Sequence, residues 1–301
     1  MSVTDKQQQY LQAMGIDTWL LRAAPQPQAV PDKSHDSVPV IPPDNVVDVP
    51  MVPEGQGDLP QYLSQEETAP APQGQVLTEI PSDTGSIIGT YNWNQLQAAV
   101  KNCVACDLHG TRKNTVFGVG DPKADWMVIG EAPGAEEDQQ GEPFVGRAGQ
   151  LLNKMLQAIG LSRQQVFIAN ILKCRPPNNR DPRPEEVVQC EAYLRRQVEL
   201  VKPKIILAVG RIAAHNLLKT DSSLAQLRGK CFYYSHSNVS SDGYVDNTSD
   251  ASGSSTGSSG EGKTPVIVTY HPAYLLRSPG EKRKAWQDLL FAQTIIQQED
   301  R

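Results

Sequence analysis

The chain has 301 residues, a formal net charge of −6 and a hydrophobic share of 39%. It contains no apolar run near the roughly 20 residues that a membrane-spanning helix needs, and its first residues, MSVTDKQQQYLQAMG, lack the basic start and apolar stretch of a secretory signal. These features predict a cytoplasmic protein with no membrane span. In that compartment disulfides are not the default role of cysteines.

The N-terminal segment carries a dense group of apolar residues, YLQAMGIDTWLLR, from Tyr10 to Arg22. Apolar residues tethered to a flexible chain are typical of a peptide that folds on a partner, so residues 1–22 are predicted to be a docking peptide. The alternative is an extra helix that packs on the protein's own body. The segment resembles the start of the psi subunit of the bacterial clamp loader, which implies a replisome or clamp-loader partner for residues 10–22.

Two compositionally biased stretches interrupt the chain. Residues 24–91 hold 12 of the 23 prolines and ten acidic residues against Lys33 alone, which predicts a disordered, Pro-rich acidic linker over 23–91. Residues 235–263 are rich in Ser, Gly and Asp and are predicted to be a flexible surface insertion. Without these two stretches the net charge is +6, which suits a loosely held polyanion. The alternative is that these are ordinary solvated charges.

The region from residue 92 onward alternates between helical and strand patterns, which predicts one folded domain over 92–301. Apolar strands that alternate with helices indicate an α/β fold in three layers, α/β/α, around a central, mostly parallel sheet. Ligands bind beyond the carboxyl ends of such strands, so Gly130–Gly134, Asn170 and His271 are expected to converge. In chain order the predicted elements are a helix at 93–102, a strand at 125–130, a helix at 147–160, a strand at 166–172, a helix at 183–201, a strand at 204–210, a helix at 211–219, a strand at 264–270 and a helix at 281–298.

Four of the five cysteines are candidates for a metal centre. Cys103 and Cys106 form a C-x-x-C pair, Cys174 follows a predicted strand, and Cys190 lies on the next predicted helix. Four thiolates satisfy either Zn²⁺ or an iron-sulfur cluster, although the wide gap between the pairs is unlike a compact zinc finger. The alternative is a set of buried structural thiols. Cys231 is interpreted as a plain thiol.

Several long motifs, in order, closely resemble those of the family 4 uracil-DNA glycosylases, the iron-sulfur branch of the uracil-DNA glycosylase superfamily. The resemblance covers about residues 92–298 apart from the Ser-rich insertion. It implies a uracil-DNA glycosylase-like fold, a structural [4Fe-4S] cluster held by the four cysteines, and uracil-containing DNA as the partner. The motifs are GEAPGAEEDQQGEPFVGRAGQLL (Gly130–Leu152), NILKCRPPNNRDP (from Asn170), LRG (from Leu227) and HPAYLLR (from His271).

The resemblance assigns the central residues of the site. His271 is the donor to uracil O2 as charge develops there, as a neutral imidazole, and preorganised donors of this kind stabilise developing charge. Asn170 fits the N3–H and O4 edge of uracil, since its amide offers one acceptor and one donor group. Phe144 stacks on the base after it flips out of the helix. Without the resemblance, a structural histidine, an asparagine turn and a core aromatic are the ordinary interpretations.

The carboxylates around this motif are assigned by the same resemblance. Ala132 occupies the position that holds a catalytic Asp in the best-known uracil-DNA glycosylases, so that residue supplies no general base here. Glu131, Glu137 and Asn179 are predicted to position water and substrate. Gly134 replaces the bulky aromatic residue that excludes the methyl group of thymine in other uracil-DNA glycosylases. Glu137 is expected to crowd the side of the base that carries this methyl group. The alternative for the acidic cluster is a solvated turn.

Contacts to DNA are expected from a basic set and from the loop after the histidine. Leu275, Leu276 and Arg277 resemble the family's loop that fills the gap left by the flipped base and holds the backbone. Candidate phosphate contacts are Arg147, Lys173, Arg175, Arg180 and Arg228.

Two functions from different classes fit these sequence features. The first is a monomeric, monofunctional glycosylase that excises uracil by hydrolysing the N-glycosidic bond and so initiates base excision repair. The second is a catalytically silent glycosylase-like module that binds DNA or the replisome. The psi-like segment and the missing Asp favour the second, whereas Asn170, Phe144 and His271 favour the first.

Overall fold

The computed structural model describes residues 87–235 and 263–299, together with residues 8, 9 and 12 near the N-terminus. The chain divides into one compact unit of residues 1–19 and 80–301 and a second of residues 20–79, and the described residues all belong to the first. The predicted docking peptide, apart from three residues, the linker over most of its length and the interior of the 235–263 insertion lie outside the described residues.

The core is a six-stranded sheet with the order β1-β3-β2-β4-β6-β5. The four central strands, β3, β2, β4 and β6, run parallel, and the short edge strands β1 and β5 are antiparallel to their neighbours. This arrangement confirms the predicted mostly parallel sheet and adds two edge strands that the sequence patterns did not indicate. The strands are β1 (Val119–Gly120), β2 (Trp126–Gly130), β3 (Val166–Asn170), β4 (Ile205–Val209), β5 (Cys231–Ser235) and β6 (Lys263–Thr269).

Helices cover both faces of this sheet, as the three-layer prediction requires. Strand β2 sends Trp126 and Val128 into one apolar cluster and Met127 and Ile129 into another on the opposite face, because successive strand side chains alternate between the faces. No helix within the described ranges is both long and apolar enough to cross a membrane. The helices are α1 (Trp93–Lys101), α2 (Ala135–Gln140), α3 (Arg147–Ala158), α4 (Pro184–Val201), α5 (Arg211–Leu218), α6 (Leu224–Leu227), α7 (Pro272–Arg277) and α8 (Lys282–Glu299).

The strand register brings the predicted site residues to one edge of the sheet. Gly130, the last residue of β2, pairs with Asn170, the last residue of β3. On the other side of β2, the residue after β4, Gly210, donates its N–H to the carbonyl oxygen of Thr269 at the end of β6. His271 follows two residues later, so the carboxyl ends of all four parallel strands surround the site.

Candidate active site

Asn170 presents an unsatisfied acceptor in the interior of the site. Its side chain is 2% exposed, and its Oδ1 has no hydrogen-bond partner. A Cβ on Gly130 would lie 2.5 Å from this oxygen and 2.6 Å from Cζ of Phe144, so only glycine at position 130 leaves the asparagine and the aromatic ring in place. A buried polar atom without a partner costs about 1–3 kcal/mol. The Oδ1 of Asn170 is therefore an acceptor without a protein partner, close to the ring of Phe144.

The backbone around Phe144 is held in a conformation that this residue type rarely adopts. Phe144 has φ +54°, in the left-handed region. Glu137 accepts hydrogen bonds from the amides of Val145 and Gly146 at 3.0 and 3.1 Å. On the other side Arg163 donates to the carbonyl oxygens of Pro143 and Phe144. A carboxylate and a guanidinium thus fix this loop from two directions and set the position of the aromatic ring.

Glu137 also accepts from the amide of Gly134 at 3.1 Å, which closes the first turn of α2. Both carboxylate oxygens of Glu137 therefore bind backbone amides. This contact set describes a residue that shapes the loop. Helix α3 packs closely against this loop. A Cβ on Gly149 of α3 would overlap the carbonyl oxygen of Phe144, so only glycine fits there.

His271 lies at the N-terminal cap of α7 and faces Phe144, with the two ring centroids 5.6 Å apart. Its Nδ1 accepts a hydrogen bond from the amide of Ala273 at 3.1 Å. Burial, reinforced by the nearby Arg277, lowers the pKa of His271 to about 4 against a weaker opposing effect of Glu137. The imidazole is therefore neutral at physiological pH. Because Nδ1 is an acceptor, the proton sits on Nε2, which becomes the free donor of the ring.

Close approach to His271 explains a second glycine. Gly210 has φ +98°, and a Cβ there would lie 3.0 Å from Cβ of His271. The residue between β4 and α5 must therefore be small and left-handed at once, so that β4 ends directly against the histidine.

Lys173 supports Asn170 from behind. Its Nζ donates to the backbone carbonyl of Asn170 at 2.7 Å and to Oε1 of Gln197 at 2.6 Å. Gln197 in turn donates to the carbonyl of Phe117 at 2.8 Å. Lys173 is only 2% exposed. The prediction that it contacts phosphate is wrong, because its terminal nitrogen is buried and already hydrogen-bonded to Asn170 and Gln197.

Glu131 directly follows β2, is partly buried and has a perturbed carboxyl group. Burial, and to a smaller extent the nearby Asp181 carboxylate, raise the pKa of Glu131 to about 7, against an opposing effect of Arg211. Arg211 itself pairs with Asp181 at 2.9 Å. Asn179 lies on the exposed rim, where its Oδ1 accepts from Nε of Arg175 at 2.7 Å. Glu131 is thus a carboxyl group that gains and loses its proton near neutral pH.

We expect the variant Glu131→Gln to stabilise the protein at alkaline pH. The folded pKa of about 7 lies above the ordinary 4.5, so the stability that the neutral carboxyl contributes is complete below about 4.5 and is lost as the pH rises through 7. Glutamine stays neutral throughout. The difference in Tm between variant and wild type, measured by calorimetry, should be small at pH 5 and grow by several degrees by pH 9, since about 1 kcal/mol corresponds to roughly 2–4 °C. A difference independent of pH would contradict this account.

The remaining predicted contact residues occupy different environments. Ala132 and Gly134 lie on the segment between β2 and α2, where Ala132 packs against an apolar cluster. Arg147 is exposed at the start of α3. Arg180 pairs with Glu186, its NH1 2.9 Å from a carboxylate oxygen. These positions leave Arg147 available for a ligand and tie Arg180 to the protein.

Two predicted DNA contacts must be corrected. Leu275 is 1% exposed and belongs to the apolar core beneath α7, so it does not face solvent. On the same helix Leu276 is 36% exposed and Arg277 is also exposed, as the prediction requires. Arg228 binds both carboxylate oxygens of Asp288, at 2.7 and 2.9 Å, so it is an internal ion-pair partner and not a phosphate contact.

Cys103, Cys106, Cys174 and Cys190 line one small pocket. Within the described residues, no three His, Cys, Asp or Glu side chains converge closely enough to bind a single metal ion. Four thiols around one pocket are a donor set that either Zn²⁺ or an iron-sulfur cluster accepts. Arg112 donates to Sγ of Cys174 at 3.1 Å. Burial raises the pKa of the Cys174 thiol, and the guanidinium of Arg112 opposes that shift.

Burial raises the pKa of Cys190 to about 12, so this thiol is protonated until a metal displaces its proton. Cys231 lies on β5 and does not line the pocket. The structure thus separates four candidate ligands from the fifth cysteine, as the sequence pattern predicted.

Comparison with known protein families gives a match to the uracil DNA glycosylase superfamily over residues 117–290. The chain is similar to three proteins named type-4 uracil-DNA glycosylase. That of Archaeoglobus fulgidus is 44% identical over 60% of this chain and 81% of its own length, and that of Pyrobaculum aerophilum is 41% identical over 65% and 90%. That of Thermotoga maritima is 39% identical over 66% and 92%.

Proposed function

Since the chain belongs to the uracil DNA glycosylase superfamily, we propose that it excises uracil from DNA by hydrolysing the N-glycosidic bond and so initiates base excision repair. Relatives about 40% identical over most of their own length carry the name type-4 uracil-DNA glycosylase. The enzyme class, a DNA glycosylase, follows from this kinship. We also propose a role for each residue of the site from its geometry.

The observation that carries the residue assignment is the partnerless Oδ1 of Asn170. Uracil has a donor at N3 and an acceptor at O4, and the asparagine amide offers the complementary acceptor and donor. Cytosine has an acceptor at N3 and an amino donor at C4, so it would set like groups against each other. A site that hydrogen-bonds one pattern rejects the other because its own buried groups stay unpaired.

Phe144 and His271 complete the base site. The base lies against the ring of Phe144. Glu137 and Arg163 hold that ring in place through their hydrogen bonds to its loop. The Nε2–H of His271 donates to O2 of uracil as negative charge builds on the departing base. The neutral imidazole suits this role, because a preorganised donor stabilises the developing charge without a proton transfer.

Water must reach the sugar without an aspartate at position 132. We assign its positioning to Glu131 and Asn179. Glu131, with a pKa of about 7, is ionised in part of the population at neutral pH and then accepts a hydrogen bond from water. Glu137 contributes indirectly, since its carboxylate is engaged by the amides of the Phe144 loop.

Cys103, Cys106, Cys174 and Cys190 are the residues that would hold a [4Fe-4S] cluster. A cluster bound there would make a structural contribution, because these cysteines lie on the segment after α1, on the segment after β3 and on α4. Lys173 lies between Cys174 and the carbonyl of Asn170, so the cysteine site and the base site share one buried segment.

The variant Cys190→Ala is expected to lose most of its iron and to melt at a lower temperature, because metal binding free energy contributes to folding. Iron and sulfide per chain, the visible absorbance and Tm measure this. Cys231→Ala is the matched control and should retain about four iron atoms per chain, the content of a [4Fe-4S] cluster. Equal iron in both variants would remove Cys190 from the ligand set.

DNA contacts are proposed for Arg147, Arg180, Leu276 and Arg277, of which Arg180 must first release Glu186. A replisome or clamp-loader partner is proposed for residues 10–22. Its test is a pull-down with the full chain and with a chain that lacks residues 1–22. Equal recovery of replisome proteins by both would end that proposal.

The proposed function is tested by uracil release from a single-stranded and a U:G duplex oligonucleotide, with protein purified without oxygen. We expect release of free uracil and an abasic, uncut strand. A protein that shows an intact cluster spectrum, binds the DNA and releases no uracil would instead be a silent binding module.

A further inference from the structure

An aromatic pair flanks His271 and takes no part in the chemistry described above. Tyr270 precedes the histidine and Tyr274 lies on the first turn of α7, with ring centroids 5.0 Å apart and planes inclined by 35°. Tyr274 is 37% exposed. An exposed ring that packs against a second ring offers a flat surface for a further π system.

The inner ring of this pair is fixed from behind. The guanidinium carbon of Arg228 lies 4.4 Å from the ring centroid of Tyr270. Arg228 is itself held by Asp288, which is 2% exposed and also accepts from the hydroxyl of Thr269 at 2.8 Å. A buried ion pair carries a desolvation cost. Here the pair holds the guanidinium of Arg228 against the ring of Tyr270 and so restrains that ring. Tyr274 therefore rests on a rigid support.

Basic residues follow Tyr274 along the chain. Arg277 is exposed at the end of α7, and Arg283 is exposed at the start of α8. Lys282 precedes Arg283, while the charge of Lys284 is offset by Glu281 at 2.8 Å. Aromatic rings interleaved with positive charges bind single strands of nucleic acid, with bases stacked on the rings and phosphates near the charges.

The spacing connects this surface to the base site. Tyr274 is three residues beyond His271, an axial distance of about 4.5 Å at a rise of roughly 1.5 Å per helical residue. Tyr274 thus lies within one helical turn of the residue proposed to contact uracil.

We propose that Tyr274, supported by Tyr270, stacks on the base next to the flipped uracil in the same strand, with the flanking phosphates held by Arg277 and Arg283. This inference rests on the proposed function, because it places the neighbouring nucleotide relative to a uracil at His271. It replaces the predicted contact of the buried Leu275 with one from the exposed side chain beside it.

The test is a cycle between protein and DNA variants. Wild type and Tyr274→Ala are compared for binding to a strand with non-hydrolysable 2′-fluoro-deoxyuridine, in which the 5′ or the 3′ neighbour either keeps its base or is replaced by a tetrahydrofuran abasic unit. Stacking is worth about 1–3 kcal/mol per base, so Tyr274→Ala should weaken binding of the intact strand roughly 5- to 150-fold. On the strand without the neighbouring base, it should cause no further loss.

Tyr274→Phe keeps the ring and should bind like wild type, and Tyr233→Ala removes another exposed tyrosine, on the edge strand β5, without effect. An equal loss on both strands, or no loss on either, would overturn the proposal. Uracil release by wild type from the ordinary strand is measured alongside. If wild type releases none, the proposed function fails, while the binding cycle still reports whether Tyr274 stacks on DNA.

Discussion

The variant Asn170→Ala is expected to lower kcat/KM for uracil release by about 10²- to 10³-fold, the range seen when one preorganised polar contact to the reacting group is removed. The buried Oδ1 of Asn170 has no partner within the protein, so its hydrogen bond is available to the ligand. Its loss removes recognition of the N3–H of uracil. Single-turnover kinetics on a labelled oligonucleotide measure the effect on the chemical step.

A matched control is available in the same chain. Asn153 also has a buried Oδ1 without a partner, but it lies on helix α3 and not at one of the strand ends that surround the site. Asn153→Ala should therefore leave excision unchanged. If the two variants lost activity equally, the effect would reflect packing or stability and not recognition of the base.

The variant His271→Ala is expected to lower the rate of the chemical step by a similar factor, about 10²- to 10³-fold. The loss should appear in kcat and leave binding of the strand nearly unchanged, because the histidine's hydrogen bond strengthens only as charge develops on O2. His215→Ala is the control, since His215 binds the carbonyl oxygen of Ser222 away from the site. A loss of strand binding with kcat intact would assign His271 to ground-state binding.

The pH profile provides an independent check on His271. Its folded pKa of about 4 lies below the ordinary 6.5, so the stability from the neutral ring is complete above about 6.5 and is lost as the pH falls toward 4. The rate of Glu131→Gln, in which the carboxyl group near 7 is removed, should therefore show no protonation step of His271 between pH 5 and 7. A step near pH 6.5 in the pH–rate profile of Glu131→Gln that is lost in the double variant Glu131→Gln/His271→Ala would contradict the neutral donor.

The sequence predicted the sheet and the edge at which the site forms, because apolar strands that alternate with helices leave few topologies. Asn170 was predictable from its place at a strand end together with the family motif, and the register of β2 and β3 places it opposite Gly130. The edge strand β5 was missed, since its residues CFYYS are only partly buried and it borders the Ser-rich insertion.

Other parts of the site depend on side-chain contacts that no linear pattern reveals. Arg163 looks like any surface arginine until its bonds to the Phe144 loop are seen. The pattern LLR gave no reason to prefer Leu276 over Leu275, because exposure on so short a helix is decided by packing against the core. Lys173 reads as a surface charge, yet the amide of Gln197, far along the chain, gives it a buried partner.

The central claim, that the orphan oxygen of Asn170 accepts the N3–H of uracil, is tested most directly by comparing excision of uracil and 3-methyluracil by wild type and Asn170→Ala. The methyl group removes the donor and adds bulk against Asn170. The account predicts that wild type strongly prefers uracil and that Asn170→Ala, which lacks the acceptor and has room for the methyl group, loses most of that preference. An undiminished preference in Asn170→Ala would show that N3 is read by another group and would contradict the account.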